Sequence, residues 1–295
     1  MRFAIRDDDT NYYTSPEELE FCYKSIWDIC PASLSLIPFV QGNWREWQFK
    51  FYRDGKIDEW SEWEKDDEVF EIGKNTVLVD FLRDRVKRGQ ICLTIHGVNH
   101  RNKDKIKYPL NRNLIHYAEF FTKVDLTDPL KGGVSYLQEL FGERIRVFTP
   151  PQNILTIQGY NAVKSNGLHL IGGSIPFISR NKDYYWFIEF CKVLRFKSRY
   201  RKKYYPFVMK LGRTNELMVH YPLQETTSLE SLKNEFDFVY KLGGDFVLST
   251  HYHGFPIPHT LYKGKIMKNI FDEFFDYVQK YSGVQFCSLN DMLMK

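Results

Sequence analysis

The chain has 295 residues, of which 43% are hydrophobic, 26% are charged and 17% are aromatic. This composition is that of a globular protein, and it excludes the disordered, collagenous and disulfide-rich classes. The net charge of +4 is too small to indicate a nucleic-acid partner by itself. The five cysteines are scattered and form no C-x-x-C pair, so neither a zinc ribbon nor a disulfide framework is expected.

The N-terminal segment lacks the apolar stretch of a signal peptide, and no apolar run reaches the length of a membrane span. We therefore expect no membrane span, and we expect the protein to be cytoplasmic.

Short apolar strands alternate with amphipathic helices along the whole chain. The first helix has a clear start, because Ser15 can cap it, Pro16 occupies its first turn and Glu18 completes a capping box. Later helices show the apolar spacing of an amphipathic helix and end at glycines such as Gly89 and Gly167. The predicted strands are 2–6, 33–40, 91–95, 146–148, 169–171, 217–221, 246–250 and 284–287, and the predicted helices are 16–28, 75–89, 127–141, 156–166, 228–242 and 265–281, with a final turn after Ser288.

Seven or eight such alternations predict an α/β fold with a parallel sheet, either doubly wound or closed into a barrel. Two stretches interrupt the rhythm. Residues 41–74 contain four of the six tryptophans, and residues 174–215 carry many Lys and Arg among Tyr and Phe. We interpret both as insertions, so residues 1–295 are predicted to form a single domain with two elaborations.

Polar side chains follow four of the predicted strands directly. Because parallel α/β folds bind ligands at the carboxyl ends of their strands, these segments are expected to converge. Taken singly, a run of Asp or an H-x-x-x-H pair is common on a solvated surface. Several such segments that each follow a strand directly indicate a functional site. The segments are Asp7-Asp8-Asp9, His96-Gly97-Val98-Asn99-His100, Thr149-Pro150-Pro151-Gln152-Asn153 and His251-Tyr252-His253-Gly254.

These residue types suit metal-assisted hydrolysis. Two imidazoles and one carboxylate, with positions left open, form a catalytic divalent-metal site that most often holds zinc. A second carboxylate can act as general base, and a further histidine can protonate a leaving group. Three adjacent aspartates repel one another unless a cation is present, which also favours a metal.

The four segments resemble the motifs of the polysaccharide deacetylase (NodB-homology) superfamily of metal-dependent carbohydrate N-deacetylases. Ile5–Asp9 is similar to the strand that ends in paired aspartates, and Ile95–His100 to the H-x-x-x-H motif. Phe148–Gln152 is similar to the Arg-Pro-Pro motif, and Leu248–His251 to the last, Leu-x-x-His motif. The resemblance spans nearly the whole chain and implies a distorted (β/α)7 barrel with its site at the strand carboxyl ends.

The resemblance implies a role for eight residues of these segments. It places the catalytic base at Asp7, the metal ligands at Asp8, His96 and His100, the oxyanion- and substrate-binding turn at Pro151 and Gln152, and the protonating histidine at His251, with His253 as the competing candidate.

Two positions depart from the family pattern. Thr149 stands where the family has an arginine that holds the base, so Arg6 or another residue would have to replace that arginine. Asp9 stands where the family has a glycine. The base and ligand could therefore be shifted by one residue, to Asp8 and Asp9, and the sequence leaves both registers open.

The function that these features predict is the metal-dependent removal of an N-acyl group, such as acetyl, from a sugar in bacterial surface polysaccharide biosynthesis. The expected cofactor is a divalent ion, most often Zn²⁺. The expected substrate is an N-acylated sugar, a sugar nucleotide or a lipid-linked saccharide, with no nucleic-acid partner. The alternatives are an amidase or deformylase acting on a non-sugar amide, and a catalytically silent relative that binds a glycan or a protein.

One further feature stays open at this level. The basic, aromatic segment 195–205 is compatible with a solvated surface, with a nucleic-acid or membrane patch, or with binding of an anionic part of the substrate.

Overall fold

The structure is a computed structural model that describes residues 1–46, 66–102, 104, 118–173, 180, 184–202 and 204–294. Within these residues it contains twelve strands and eight α-helices. The strands are β1 (Arg2–Thr10), β2 (Ala32–Leu36), β3 (Phe39–Gln41), β4 (Val69–Glu71), β5 (Ile91–Ile95), β6 (Val147–Phe148), β7 (His169–Ile171), β8 (Met209–Leu211), β9 (Thr214–Leu217), β10 (Tyr221–Pro222), β11 (Asp245–His251) and β12 (Gln285–Phe286). The helices are α1 (Pro16–Tyr23), α2 (Thr76–Lys87), α3 (Thr127–Phe141), α4 (Ile157–Ser165), α5 (Tyr184–Tyr200), α6 (Leu229–Leu242), α7 (Met267–Gln279) and α8 (Leu289–Leu293).

Ten of the described strands form one curled sheet in the order β10-β11-β1-β2-β5-β6-β7-β9-β8, with β12 pairing the start of β1. Neighbouring strands are parallel except for β8 and β9, which form an antiparallel hairpin at one edge. The sheet is a half-barrel, which confirms the predicted α/β, NodB-like (β/α) barrel class. Because the central strands are parallel, their carboxyl ends lie along one rim.

The concave side of the sheet contains a small apolar core. Ala4, Val147 and Val247 point into it from three strands, and they pack against Leu289 and Met292 of α8. The C-terminal helix therefore fills the amino-terminal end of the half-barrel. Its start is well defined, because the Ser288 side chain accepts from the Asp291 N–H and the Asp291 carboxylate accepts in return.

The convex side packs against the other helices and holds most of the core. Phe3 stacks on Phe246 with ring centroids 5.6 Å apart, and both contact Phe274 of α7. Much of the aromatic content of the chain is used in this way, as hydrophobic area buried between sheet and helices.

The helix α5 lies across the opening between the two edges of the sheet. It packs on the edge strand β8 through Val193, and its Phe196 contacts Phe238 of α6, which covers the opposite edge. Farther on, Lys202 pairs with Glu235 of α6 at 2.6 Å. Within the described residues, the two edge strands of the sheet, β8 and β10, do not pair with each other. Side-chain packing of α5 connects these two edges instead.

Most predicted elements are present with small shifts at their ends, and the structure corrects four of them. The helix predicted at 16–28 ends at Tyr23. The strand predicted at 2–6 continues to Thr10, so the three aspartates belong to it. The strand predicted at 33–40 is two strands, β2 and β3, and the one predicted at 217–221 is divided between β9 and β10.

The proposed insertions are only partly covered. The described residues do not include 47–65, 174–179, 181–183 and 203. The structure therefore shows only the two ends of segment 41–74, which contains four tryptophans. There β3 and β4 form a two-stranded antiparallel ladder. The second segment contains α5 and β8, and the division into one domain with two insertions stays a prediction.

Candidate metal centre and active site

The three aspartates of β1 face different environments because the strand is irregular at its end. The pairing of β1 with β2 shifts register between Asp7 and Thr10, as in a β-bulge, and Asp9 has a φ of 73°. Regular alternation would send Asp7 and Asp9 to the same side of the sheet. The bulge instead re-aims Asp9, so that Asp8 and Asp9 both reach the rim while Asp7 does not.

Asp7 lies on the convex side, among the core residues. Its carboxyl accepts hydrogen bonds from the Tyr23 hydroxyl and from Thr250 Oγ1, the latter at 3.1 Å. Burial raises the pKa of Asp7 well above its ordinary value. The structure therefore places the residue predicted as the base in a buried hydrogen-bonded cluster, apart from the two histidines of the H-x-x-x-H motif.

Asp8 is held by Arg6, two residues earlier on the same strand. Arg6 Nε donates to Asp8 Oδ1 at 2.9 Å, its Nη2 donates to Oδ2, and both side chains are almost fully buried. Burial by itself would raise the pKa of Asp8, but the Arg6 guanidinium holds it well below its ordinary value. Asp8 is therefore a carboxylate at neutral pH, and it keeps lone pairs to accept a further proton or hydrogen bond.

Arg6 is positioned by residues from the neighbouring strand ends. Its Nη2 donates to Asn153 Oδ1 at 2.6 Å. A Cβ on Gly172, whose φ is 72°, would lie 2.4 Å from Arg6 Nη1 and 2.9 Å from His220 Cδ2. Glycine is therefore needed for Arg6 to fit, and His220, which the sequence left without a motif, lies beside it.

Asp9, His96 and His100 form a compact cluster that could hold a metal ion. Asp9 Oδ1 lies 3.3 Å from His96 Nε2 and 3.4 Å from His100 Nε2, and the two Nε2 atoms are 3.2 Å apart. Two ligand atoms bonded at about 2.05 Å to a tetrahedral ion are about 3.4 Å apart. The three separations therefore fit one zinc-sized ion, and Asp9 takes the place in this cluster that was first assigned to Asp8.

The ligand atoms of this cluster are oriented by their neighbours. His96 Nδ1 lies 2.9 Å from the Thr149 carbonyl oxygen, to which it can only donate, so Nε2 is the ring nitrogen left to bind a metal. Asp9 Oδ2 accepts from His253 Nε2 at 3.2 Å, whereas the buried Oδ1 has no hydrogen-bond partner. An unpaired buried carboxylate oxygen between two imidazoles is the environment that a cation would satisfy.

The protonation of the cluster follows from its burial and from its carboxylates. Burial would lower the pKa of His96, but Asp8 and Asp9 raise it above its ordinary value. Burial lowers the pKa of His100 to about 3, so its imidazole is neutral at pH 7. Burial would raise the pKa of Asp9, but the contacts with His253 and His96 hold it well below its ordinary value. His100 and Asp9 are thus in the forms that bind a divalent metal, and His96 would release its extra proton when a metal binds.

The loop that carries His96 and His100 is held by Glu119, which the sequence analysis did not single out. The Glu119 carboxylate accepts from the backbone N–H of Val98 at 2.9 Å and of His100 at 2.8 Å, and it also accepts from Asn99. Burial raises its pKa to about 7. No sequence motif marks Glu119, because its role depends on folding back over a loop about twenty residues earlier.

Gly97 allows this loop to pass close to Glu119. Its φ is 73°, and a Cβ there would lie 2.3 Å from Glu119 Oε2 and 2.8 Å from Pro151 Cγ. We expect Gly97→Ala to destabilise the protein by more than the about 1–3 kcal/mol that a left-handed backbone costs, and to weaken zinc binding. Chemical denaturation and zinc titration measure the two effects.

Gly89 provides the matched control for Gly97. It has a φ of 70°, and a Cβ there would meet nothing within 4 Å. Gly89→Ala therefore carries the backbone cost without the collision. Equal losses of stability in the two variants, with unchanged zinc affinity, would show that Glu119 and Pro151 do not constrain the loop.

The remaining predicted residues lie around this cluster. His251 Nε2 is 3.7 Å from Asp9 Oδ2, its side chain is 33% exposed, and burial lowers its pKa. His253 is more enclosed and contacts the same oxygen. Pro151 is buried, and Gln152 follows it with a φ of 55° in a short 3-10 turn after β6. The structure brings all of the predicted residues except Asp7 to one rim.

Strained backbone is concentrated at the same rim. Five described non-glycine residues have positive φ, and four of them belong to the segments just described: Asp9, His100, Gln152 and Asn153. A positive φ is unfavourable for these residues and persists only where the surrounding contacts hold the backbone in place. Such residues are common at functional sites.

No protein-family model and no curated protein sequence matches this chain. Solved structures do match it. A protein from Mycobacterium smegmatis that is assigned as a polysaccharide deacetylase aligns over 98% of this chain and 87% of its own, with a TM-score of 0.52 and 10% identity. The chain has the fold of the NodB-like polysaccharide deacetylases of the CE4 family.

Two proteins described as members of carbohydrate esterase family 4 align with lower scores. A family 4 acetyl xylan esterase from Clostridium thermocellum, in complex with a cobalt ion, matches 99% of this chain and 90% of its own, with 9% identity and a TM-score of 0.42. A CE4-family pseudoenzyme from Bacillus anthracis matches 99% of this chain, with 10% identity and a TM-score of 0.46. The chain spans 64% of the length of that pseudoenzyme and 66% of an active mutant form.

Proposed function

We propose that the protein is a metal-dependent hydrolase that removes an N-acetyl group from a sugar. The observation that carries this proposal is a cluster of Asp9, His96 and His100 at metal-ligand separations, directly beside a second, separately held carboxylate, Asp8. A metal site with an adjacent general base is the arrangement needed to hydrolyse an amide.

The proposed ligands are Asp9 Oδ1, His96 Nε2 and His100 Nε2, and the donor set of one carboxylate and two imidazoles favours Zn²⁺. This is the second of the two registers that the sequence left open. A divalent cation held there supplies Lewis-acid polarisation of the acyl carbonyl and lowers the pKa of water. The second oxygen of Asp9 is kept in place by His253, which we propose as a positioning residue.

Asp8 is the proposed base in this register. It is ionised at neutral pH because of Arg6, and it can accept a proton from a water molecule at the rim. Arg6 thus takes the part that the family assigns to the arginine before Pro-Pro. At that arginine's position, the Thr149 side chain accepts from Ser35 Oγ at 3.1 Å, and the backbone carbonyl oxygen of Thr149 contacts His96.

The other steps need a proton donor and an oxyanion partner. His251 is the proposed donor to the departing amine, because it is the more exposed of the two histidines after β11. We propose the backbone N–H of Gln152, held by the Pro150-Pro151 turn, as a donor to the oxyanion.

Acetate release tests this proposal directly. The purified protein, loaded with Zn²⁺, is expected to release acetate from at least one member of a panel of N-acetylated sugars, sugar nucleotides and lipid-linked saccharides. Metal chelation is expected to abolish the release, and added Zn²⁺ to restore it. Release from non-sugar amides alone would indicate an amidase or deformylase, and bound metal without any release would indicate a silent glycan-binding relative.

The context of this reaction is part of the proposal. A sugar deacetylase of this kind fits the synthesis of a bacterial surface polysaccharide in the cytoplasm. In the described residues no helix is both long and apolar enough to cross a membrane.

A further inference from the structure

The helix α5 uses only one face to pack on the protein. Val193 and Phe196 are buried against β8 and α6, and Glu189, which is 5% exposed, lies on the same side. The opposite face points away from the half-barrel. Since α5 lies across the opening between the sheet edges, this outer face forms a continuous part of the protein surface.

The outer face of α5 is apolar along its centre. Tyr184, Phe187, Cys191 and Leu194 are spaced by three and four residues, so they form one stripe along the helix. Their exposure is high, at 74% for Tyr184, 60% for Phe187 and 50% for Leu194, and Cys191 is also exposed. An apolar stripe of this kind, open to water over three turns, is unfavourable unless something covers it.

Cations border the apolar stripe on both sides. Lys192, Arg195 and Arg199 follow one edge at helical spacing, and Lys197 lies on the other. Arg201 follows directly after the end of the helix. Residues 184–202 contain six Lys and Arg and a single acidic residue, Glu189, which is buried and paired with Lys192. The local charge of +5 thus exceeds the +4 of the whole chain.

We propose that α5 docks the protein onto an anionic lipid surface, with the helix lying in the plane of the membrane. Apolar side chains along the centre of a helix with Lys and Arg at both edges are the pattern of an interfacial helix. The apolar stripe enters the acyl boundary, and the cations pair with anionic headgroups. The membrane lies outside the half-barrel opening, and the metal site stays at the rim of the sheet.

Two other occupants fit this face less well. A second copy of α5 would bring two surfaces bordered by Lys and Arg together, and this repulsion costs electrostatic energy. Nucleic acid would pair with the cations and stack on Tyr184 or Phe187. It would gain nothing from Leu194 and Cys191, which have no ring to stack on a base.

Vesicle co-sedimentation of the full-length protein tests this proposal. We expect binding to vesicles of phosphatidylcholine with about 30 mol% phosphatidylglycerol, and binding at least about tenfold weaker to phosphatidylcholine alone. Phe187→Ser with Leu194→Ser, and separately Arg195→Glu with Arg199→Glu, are each expected to weaken binding by about tenfold or more. Raising the salt from about 50 to about 500 mM is expected to weaken binding of the wild type.

Matched controls use residues of similar exposure elsewhere on the surface. Val77→Ser with Leu261→Ser replaces apolar side chains that are 67% and 57% exposed, and Lys87→Glu with Lys131→Glu removes two exposed cations. Both control pairs are expected to bind like the wild type. Circular dichroism checks that all variants fold, which is expected because every changed side chain is exposed.

Three results would overturn the proposal. The first is no binding to anionic vesicles at low salt by the folded wild type, and the second is binding that the α5 variants leave unchanged. The third is loss, in those variants, of a dimer seen by ultracentrifugation or of oligonucleotide binding, without any vesicle binding. That result would assign the face to a second copy or to nucleic acid.

Discussion

Replacing Asp8 by asparagine is expected to lower kcat for acetate release by about 100- to 10,000-fold, the range that a general base contributes. The substitution removes the charge that accepts the proton. It leaves an oxygen that can still accept from Arg6, but the buried guanidinium loses its counter-charge, so we expect the variant to fold with reduced stability. Zinc content should be unchanged, because the cluster uses Asp9. Acetate release and elemental analysis of the same sample measure both quantities.

The matched variant is Asp7→Asn. Asp7 lies on the convex side, and burial raises its pKa, which favours the neutral form that asparagine imitates. The asparagine oxygen can still accept from Tyr23 and Thr250. Most of the activity is therefore expected to remain. If Asp7→Asn were inactive and Asp8→Asn had lost its metal, the base would be Asp7 and the ligand Asp8, and our assignment of the register would be incorrect.

Removing the side chain of a proposed ligand is expected to abolish both metal binding and activity. Replacing a residue that only hydrogen-bonds to a metal ligand typically weakens metal binding by about 10- to 100-fold. Replacing a ligand itself should cost more, so Asp9→Asn, His96→Ala and His100→Ala should each weaken Zn²⁺ binding by more than about 100-fold. Calorimetric titration of the metal-free protein measures the affinity. The change in acetate release should follow the change in bound zinc.

His259→Ala is a control for the loss of a buried histidine. His259 is 4% exposed and bonds through Nε2 to the Thr227 carbonyl oxygen, and it belongs to neither the metal cluster nor the loop around it. This variant should lose some stability while keeping its zinc affinity. Full activity in His96→Ala or His100→Ala, with undiminished zinc, would refute the metal site.

The departure at Thr149 has a counterpart in the structure. By the sequence alone, Arg6 or another residue would have to replace the family arginine before Pro-Pro, and the catalytically silent alternative stays open. In the folded chain, Arg6 reaches Asp8 from within the same strand, and Asn153 and Gly172 shape its position. The guanidinium thus comes from a different strand, and the carboxylate that it contacts is Asp8. Asp8 thus has a buried guanidinium partner although the family arginine is absent.

Much of the architecture could be predicted from the sequence because it depends on local signals. The capping box at Ser15 and Glu18, and the caps at Asn75 and Ser228, start helices where they were expected. The strand Ile91–Ile95 and the helix Thr127–Phe141 have the predicted bounds. The helix α5 was not predicted, because its two apolar sides, one buried and one exposed, hide the usual periodicity.

By itself, the sequence determined the parallel α/β class and the residues that follow the strands, because strand ends in such a fold share one rim. It did not determine which aspartate does what, since that depends on a bulge that rotates Asp9 past its expected side. Nor did it reveal Glu119, whose carboxylate acts on backbone N–H groups that no residue pattern records. Contacts between side chains and distant backbone exist only after folding, and here they decide the arrangement of the site.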